Sequence, residues 1–170
     1  KVIADKEAQS IAFQETLESI DSENGLEAVE AFAKENSDSG YSVLASLMAA
    51  QKAVSAENFE SAKMHLTMAV NNAPSPAVAD LAKMRLARVE HQLGDSQAAL
   101  ATLDSVASGS YSDQVQEIKG DIYVALKDFD NAKAAYDAVL SEQPQNRLVE
   151  MKLSNLNFAA TQVAGGTSEE

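Results

Sequence analysis

The chain has 170 residues, which is enough for one domain with a hydrophobic core, and 45% of them are hydrophobic although only 5% are aromatic. Its formal net charge of −13 disfavours electrostatic binding to nucleic acid or to an anionic membrane surface. The absence of cysteine excludes disulfides, thiol catalysis and thiolate metal sites. The many alanines favour closely packed helices over sheets.

Two helices are predicted in residues 1–40, ahead of the more regular part of the chain. Residues 2–20 carry a narrow apolar stripe, and residues 25–35 repeat apolar side chains at Leu26, Val29 and Phe32. Because the chain begins at Lys1 without a methionine and enters a helical pattern at once, we expect that a tag, a signal or an anchor has been removed upstream. The longest apolar run, residues 43–50, is too short to cross a bilayer.

Residues 114–146 carry one complete helix-turn-helix repeat, with small residues at Gly120 and Ala132, a tyrosine at Tyr136 and a closing Pro144. Weaker copies span residues 41–74 and 80–111. The marker alanines Ala62, Ala99 and Ala132 lie 37 and 33 residues apart, close to the period of about 34 residues of a tetratricopeptide unit.

The predicted fold is therefore all-α, a tetratricopeptide-like right-handed solenoid of antiparallel helix pairs. Residues 41–163 hold the repeats and a C-terminal capping helix, which is predicted over 147–160 to cover the apolar face of the last repeat. By its composition, the tail of residues 164–170 is predicted to be flexible.

Motifs for catalysis are absent from the sequence, and no cofactor is predicted. There is no nucleophile elbow, no phosphate-binding glycine loop and no His-Glu zinc motif. The two histidines, His65 and His91, fall on different predicted helices, and neither has a second histidine at ligand spacing. We therefore predict that the protein is not an enzyme and binds no metal.

A partner-binding groove is predicted along the first helices of the repeats, because stacked helix pairs form a concave face that binds segments of other proteins. Its candidate residues are Leu44, Leu47, Gln51, Leu81, Met84, Arg88, His91, Glu117, Asp121 and Val124. Leucine and methionine at one end and acids at the other would suit an apolar or basic segment. A carboxylate clamp is not predicted, since only Arg88 could serve it and Asp121 would repel the ligand. The alternative, that these are ordinary contacts between helices, remains open.

One basic cluster stands out in this acidic chain. It consists of Lys83, Arg85 and Arg88. We expect these side chains to pair with acids of neighbouring helices, and Asp121 is the candidate partner of Arg88 because it holds the equivalent position in the last repeat.

Four segments resemble the YfgM family of Gram-negative bacteria, and the resemblance covers roughly residues 28–158. They are YSVLASL at 41–47, MRLARV at 84–89, AALATLD at 98–104 and EMKLSNL at 150–156. In that family a short cytoplasmic segment and one membrane helix precede a periplasmic tetratricopeptide-like domain, and the protein associates with the SecYEG translocon and the periplasmic chaperone PpiD. The family has no catalytic residues.

The resemblance thus implies a non-enzymatic protein-protein interaction scaffold at the periplasmic face of the inner membrane, which helps to handle exported proteins. It implies protein partners, no nucleic acid, no small-molecule substrate, and membrane attachment through an anchor absent from this chain. The alternative is an unanchored soluble repeat adaptor or assembly factor for another envelope complex. The residues upstream of Lys1 discriminate between the two, because about 20 apolar residues without a cleavage site would indicate the anchored scaffold.

Overall fold

The computed structural model describes the backbone of residues 2–20, 22, 24–36 and 39–165, and the side chains of residues 6–20, 22, 24–36 and 39–158. Over these residues the regular structure is entirely helical, as the sequence predicts. The helices are α1 (Val2–Ser19), α2 (Gly25–Glu35), α3 (Gly40–Ser55), α4 (Phe59–Asn71), α5 (Pro76–Gln92), α6 (Ser96–Asp104), α7 (Ser112–Ala125), α8 (Phe129–Glu142) and α9 (Arg147–Gly165), with a 3-10 turn at Gly109–Tyr111. None of these described helices combines the length and the apolar composition that crossing a bilayer requires.

The chain divides into two compact units. Unit 1 comprises residues 1–107 with α1 to α6, and unit 2 comprises residues 108–170 with α7 to α9. The helix predicted over 147–160 is α9, which extends to Gly165. Residues 166–170 of the predicted flexible tail lie outside the described residues.

Unit 1 is built by packing each helix from α2 to α6 on the next. Small side chains allow this close approach. Fully buried alanines occur in every helix of this series, at Ala33, Ala45, Ala49, Ala53, Ala62, Ala69, Ala82, Ala87 and Ala99. Larger side chains such as Leu66 fill the space beside these contacts. At the N-terminal end the ring of Phe13 packs against those of Phe32 and Tyr41, with centroids 5.5 and 5.1 Å apart.

Three turns end the first helix of a pair in the same way. The residues Glu57, Gly94 and Lys127 have positive φ angles of 56°, 86° and 59°. The next residue in each case donates its backbone N–H to a carbonyl five positions earlier, at 2.8 to 2.9 Å, and its side chain then caps the following helix; these residues are Asn58, Asp95 and Asp128. These turns are 37 and 33 residues apart, the same spacing as the marker alanines. The repeat therefore has one local geometry in all three copies.

In unit 2, α7 pairs with α8, and α9 packs on α8. The core lies between α8 and α9 and includes Tyr136, Val139, Val149 and Leu156. Gly120 of α7 lies against the ring of Tyr136, where there is no room for a side chain. The glycine thus allows the tyrosine to fill the contact between the paired helices.

Candidate protein-interaction groove

A concave surface that carries predicted site residues lies within unit 1, between α3, α4 and α5. We call it the unit 1 groove. Its volume is about 680 Å³. Its apolar lining is formed by Leu47, Ala50, Val54, Phe59, Leu66 and Val89. Its polar lining is formed by Gln51, Ser55, Glu57, Arg85, Arg88 and Gln92. The volume falls within the range of about 300 to 1,000 Å³ that is usual for binding pockets.

The periodicity of α3 and α5 explains how these side chains come together. One face of α3 carries Ala45, Ala49 and Ala53 into the core, so the opposite face presents Gln51 and Val54 to the groove. On α5 the residues at 85, 88 and 92 are spaced by three and four positions and therefore form one exposed row along the helix. Helices packed through alanines hold the two walls of the groove in fixed positions.

The basic cluster contains one paired cation and two cations without an ionic partner among the unit 1 residues that the structure describes. The Nζ of Lys83 lies 3.3 Å from Asp80 Oδ1 and donates to the carbonyl of Ser105 at 2.8 Å. Within the described part of unit 1, no carboxylate pairs with the exposed side chains of Arg85 or Arg88. Lys83 thus pairs within α5 itself and not with an acid of a neighbouring helix as predicted, whereas the two arginines present their charge to the groove.

The acidic residues predicted for the far end of the groove, Glu117 and Asp121, form ion pairs with a lysine. In unit 2, the Nζ of Lys152 donates to Glu117 Oε1 at 2.7 Å and to both carboxylate oxygens of Asp121 at 2.8 Å. The hydroxyl of Tyr136 donates to Asp121 Oδ1 at 2.7 Å. We call these four residues the Lys152 cluster. Because Lys152 offsets one of the two negative charges, the acids attract a basic partner segment less than the sequence suggests. The pairing of Asp121 with Arg88 stays a prediction.

The remaining predicted residues differ in their accessibility. Leu44 and Val124 are exposed, and Leu81 is half-buried. Met84 is only 5% exposed, because α5 is packed on two sides, so this side chain belongs to the interior of unit 1. His91 is half-buried, and its Nδ1 lies 2.9 Å from the hydroxyl of Ser96. Of the ten candidates, Leu47, Gln51 and Arg88 line the unit 1 groove.

Sequence reasoning missed several residues of the groove. Arg85 had a signal, since it belongs to the basic cluster and lies one turn from Arg88. Phe59 and Leu66 belong to α4, a second helix of a pair, and the predicted groove residues were all on first helices. Their participation depends on how deeply α4 sits between α3 and α5, which no local pattern encodes.

The buried histidine of α4, His65, contacts a glutamate of a neighbouring helix. The Nε2 of His65 lies 2.9 Å from Glu30 Oε1 of α2, and the hydroxyl of Ser61 donates to the same oxygen at 3.2 Å. This contact ties α4 to α2 inside unit 1. In the part of the chain that the structure describes, no group of three or more potential ligands could hold a metal ion.

Alkaline pH is expected to weaken unit 2. Burial of Tyr136 and its hydrogen bond to Asp121 raise the pKa of the phenol. Burial alone would lower the pKa of Lys152, but its hydrogen bonds to Asp121 and Glu117 outweigh this and raise it above its usual value. Both groups therefore hold their protons more tightly in the folded state, so their contribution to stability is complete below about pH 10 and is lost as the pH rises further.

The measurement is the denaturant midpoint of unfolding, monitored by circular dichroism, at pH values from about 8 to 12. We expect a decrease in the free energy of unfolding above about pH 10, and a shallower decrease in the Tyr136→Phe variant, which removes one of the two titrating groups. An equally steep decrease in Tyr136→Phe would exclude this tyrosine as a source of the pH dependence.

The fold and the groove define a class of helical repeat proteins whose surfaces bind other proteins. The family model described as "Tetratricopeptide repeat-like domain" matches residues 2–158, and the chain belongs to this family. The predicted all-α, tetratricopeptide-like fold is therefore confirmed.

Comparison with curated proteins gives more specific relatives than the family model does. The chain is similar to proteins named "Ancillary SecYEG translocon subunit" from three bacteria. It is 32% identical over 130 residues to the Haemophilus influenzae protein, covering 75% of this chain and 64% of the relative. It is 28% identical over 154 residues to the Escherichia coli protein, covering 88% and 74%. It is 33% identical over 116 residues to the Neisseria gonorrhoeae protein, covering 66% and 56%.

These relatives confirm the resemblance to the YfgM family that the sequence motifs indicate. The chain spans less than two thirds of the Haemophilus influenzae and Neisseria gonorrhoeae relatives. No solved structure matches the chain.

Proposed function

We propose that this chain is a non-enzymatic interaction domain that acts at the SecYEG translocon, and that the unit 1 groove is its principal docking surface. The observation that carries the proposal is a preformed groove of about 680 Å³ with an apolar floor and two arginines on one wall. The family membership and the names of the relatives support the same role. Such a domain performs no chemistry, and its contribution is to hold partners near each other.

The proposal also covers where in the cell the domain acts and which second partner it binds. By the family resemblance, a membrane helix precedes the domain and holds it at the periplasmic face of the inner membrane. The periplasmic chaperone PpiD is the proposed second partner there, and the complex helps to pass on newly exported proteins. A domain anchored next to its partners binds them at a high effective concentration, so even a modest intrinsic affinity suffices.

The rigidity of the groove favours this role. Because the helices of unit 1 pack through fully buried alanines, the walls of the groove need little rearrangement when a partner binds. A preformed surface avoids part of the entropic cost that association otherwise incurs. Exposed apolar side chains in the groove, such as Val54 at 41%, supply the surface that binding would remove from water.

Site-specific photo-crosslinking in the native membrane tests the proposal. A benzoylphenylalanine is placed at Val54, in the groove, or at Met64, which is 51% exposed on α4 and does not line the groove. In the full-length protein we expect Val54 to crosslink to a SecYEG subunit or to PpiD, and Met64 to give little product. The two positions are matched, since both are apolar and similarly exposed.

A second arm uses charge reversal. Arg88→Glu is expected to reduce the Val54 crosslink while the circular dichroism spectrum of the protein stays unchanged, because the side chain is exposed and has no carboxylate partner in the described part of unit 1. Equal crosslinking from Val54 and Met64 would remove the groove from the proposal. Absence of translocon and chaperone products from both positions would count against the proposed function as a whole.

A further inference from the structure

We propose that the unit 1 groove binds a partner segment that carries acidic and apolar side chains together, with Arg85 and Arg88 pairing with its carboxylates. The inference rests on the proposed function in one respect, namely that the occupant is a segment of another protein. It adds the chemistry of that segment, and it differs from the apolar or basic ligand that the sequence pattern favours.

The inference rests first on the fact that the two arginines have no carboxylate partner in the described part of unit 1. Acidic residues outnumber basic ones by 26 to 13 in this chain, so potential carboxylate partners are plentiful. Nevertheless, no carboxylate of the described part of unit 1 pairs with Arg85 or Arg88. The neighbouring Lys83 is bound by Asp80 and by a backbone carbonyl. Within the basic cluster, Arg85 and Arg88 are therefore the two cations without a carboxylate partner in the described part of unit 1, and both line the groove.

The spacing of the arginines suits the recognition of carboxylates. Residues three apart on a helix lie on the same face, about 5 to 6 Å apart at their Cβ atoms. Each guanidinium offers a planar set of donors that matches a carboxylate in two parallel hydrogen bonds. Arg85 and Arg88 can thus bind two carboxylates that lie about one turn apart on a helical segment.

The apolar residues that line the groove indicate that the partner segment also carries apolar side chains. Leu47, Phe59 and Val54 lie beside the arginine wall, and each is only partly covered by the chain's own side chains. An apolar side chain of the partner that enters the groove would cover them and would also exclude water from the arginines. A charged hydrogen bond is stronger in such a desolvated position than on an open surface.

Other occupants fit the groove less well. A basic segment would meet two arginines without compensation. The acids that would attract such a segment, Glu117 and Asp121, lie in unit 2 and are bound by Lys152. The lining of the groove includes one carboxylate among the described residues, Glu57, and it lies at the end of α3 rather than on the arginine wall of α5. An acidic segment oriented toward α5 therefore encounters mainly favourable charge.

A peptide selection followed by a titration tests this inference. A random peptide library displayed on phage is selected against the chain, and an enriched peptide is titrated by fluorescence anisotropy. We expect enrichment of Asp or Glu within one helical turn of Leu, Ile or Phe. The Arg85→Gln/Arg88→Gln variant should bind the enriched peptide about 10-fold more weakly or worse, which corresponds to the loss of charge-assisted hydrogen bonds.

The matched control is Arg147→Gln, which removes an exposed arginine of α9 in unit 2 and should leave the affinity within about twofold. Replacing the acids of the peptide by Asn and Gln should weaken its binding to the unaltered chain by the same factor. The same replacement should change its binding to the double variant little. An unchanged circular dichroism spectrum of the double variant shows that it folds, since both arginines are exposed.

Several results would overturn the inference. They are enrichment of Lys and Arg, no enrichment at all, or a titration that does not respond to the double substitution. A dimer in sedimentation that dissociates in the double variant would assign the groove to a second copy of the chain. Arginine-dependent binding to phosphatidylglycerol vesicles, with no enriched peptide, would assign it to a lipid surface.

The two proposals fail separately. If Val54 crosslinks to the translocon but the selection enriches no acidic peptide, the proposed function stands and the acidic segment is excluded. If the selection succeeds and the membrane crosslink is absent, the groove binds an acidic segment of some other protein.

Discussion

Replacing Gly120 by alanine should lower the free energy of unfolding by about 2 kcal/mol, although alanine is the better helix former. A Cβ atom at this position would lie less than 3 Å from three ring atoms of Tyr136. This ring is 2% exposed, and its hydroxyl is held by Asp121, so it has little freedom to move. Overpacking at the upper end of its usual range costs about 3 kcal/mol, and the gain in helix propensity returns about 1 kcal/mol.

The measurement is denaturant unfolding followed by circular dichroism, because the chain has no tryptophan. Gly40→Ala is the matched control. Gly40 is also helical, but a Cβ atom there meets nothing within 4 Å, and we expect a change within about 0.5 kcal/mol. In a Tyr136→Leu background, Gly120→Ala should become neutral or stabilising, because the ring that it strikes is gone. If Gly120→Ala were tolerated as well as Gly40→Ala, the result would contradict the close contact between Gly120 of α7 and the Tyr136 ring of α8.

Replacing Lys152 by glutamate should cost about 3 kcal/mol of unfolding free energy. Its Nζ is the shared donor to Glu117 and Asp121, and its side chain is 24% exposed. The substitution places three carboxylates together without a cation. Breaking a buried ion pair costs about 3 to 5 kcal/mol, and the lower end applies here because the cluster is only half-buried.

Lys133→Glu provides the control for this prediction. Lys133 pairs with Asp137 at 2.6 Å on the surface of α8, where its side chain is 53% exposed. An exposed pair of this kind contributes about 0 to 1 kcal/mol. Lys152→Met separates the loss of the cation from the added repulsion and should be less destabilising than Lys152→Glu. Equal effects at positions 133 and 152 would show that the Lys152 cluster does not stabilise unit 2.

The helix pairs could be predicted because their signals are local. Gly120, Ala132 and Pro144 mark one repeat by spacing alone, and the same small residues recur upstream at a similar interval. The turns were less evident. Only one of the three residues with positive φ is a glycine, Gly94, whereas Lys127 adopts this conformation because the surrounding repeat imposes it.

The candidate site was only partly predictable, because it depends on contacts between residues far apart in sequence. Lys152 meets Asp121 across 31 positions, and no pattern around either residue indicates this. The same holds for Arg88, whose lack of a carboxylate partner among the described residues of unit 1 depends on the placement of every acid nearby. Met84 was predicted to line the groove as a residue of a first helix, yet α5 buries it among its neighbours.

The most direct test of the central claim is the photo-crosslink from Val54 in the full-length protein in its native membrane. We expect a product with a SecYEG subunit or with PpiD that is strong from Val54, weak from Met64, and reduced by Arg88→Glu. A product of equal strength from Met64, or one that persists in full after the charge reversal, would contradict the claim that the unit 1 groove and its arginines hold the partner.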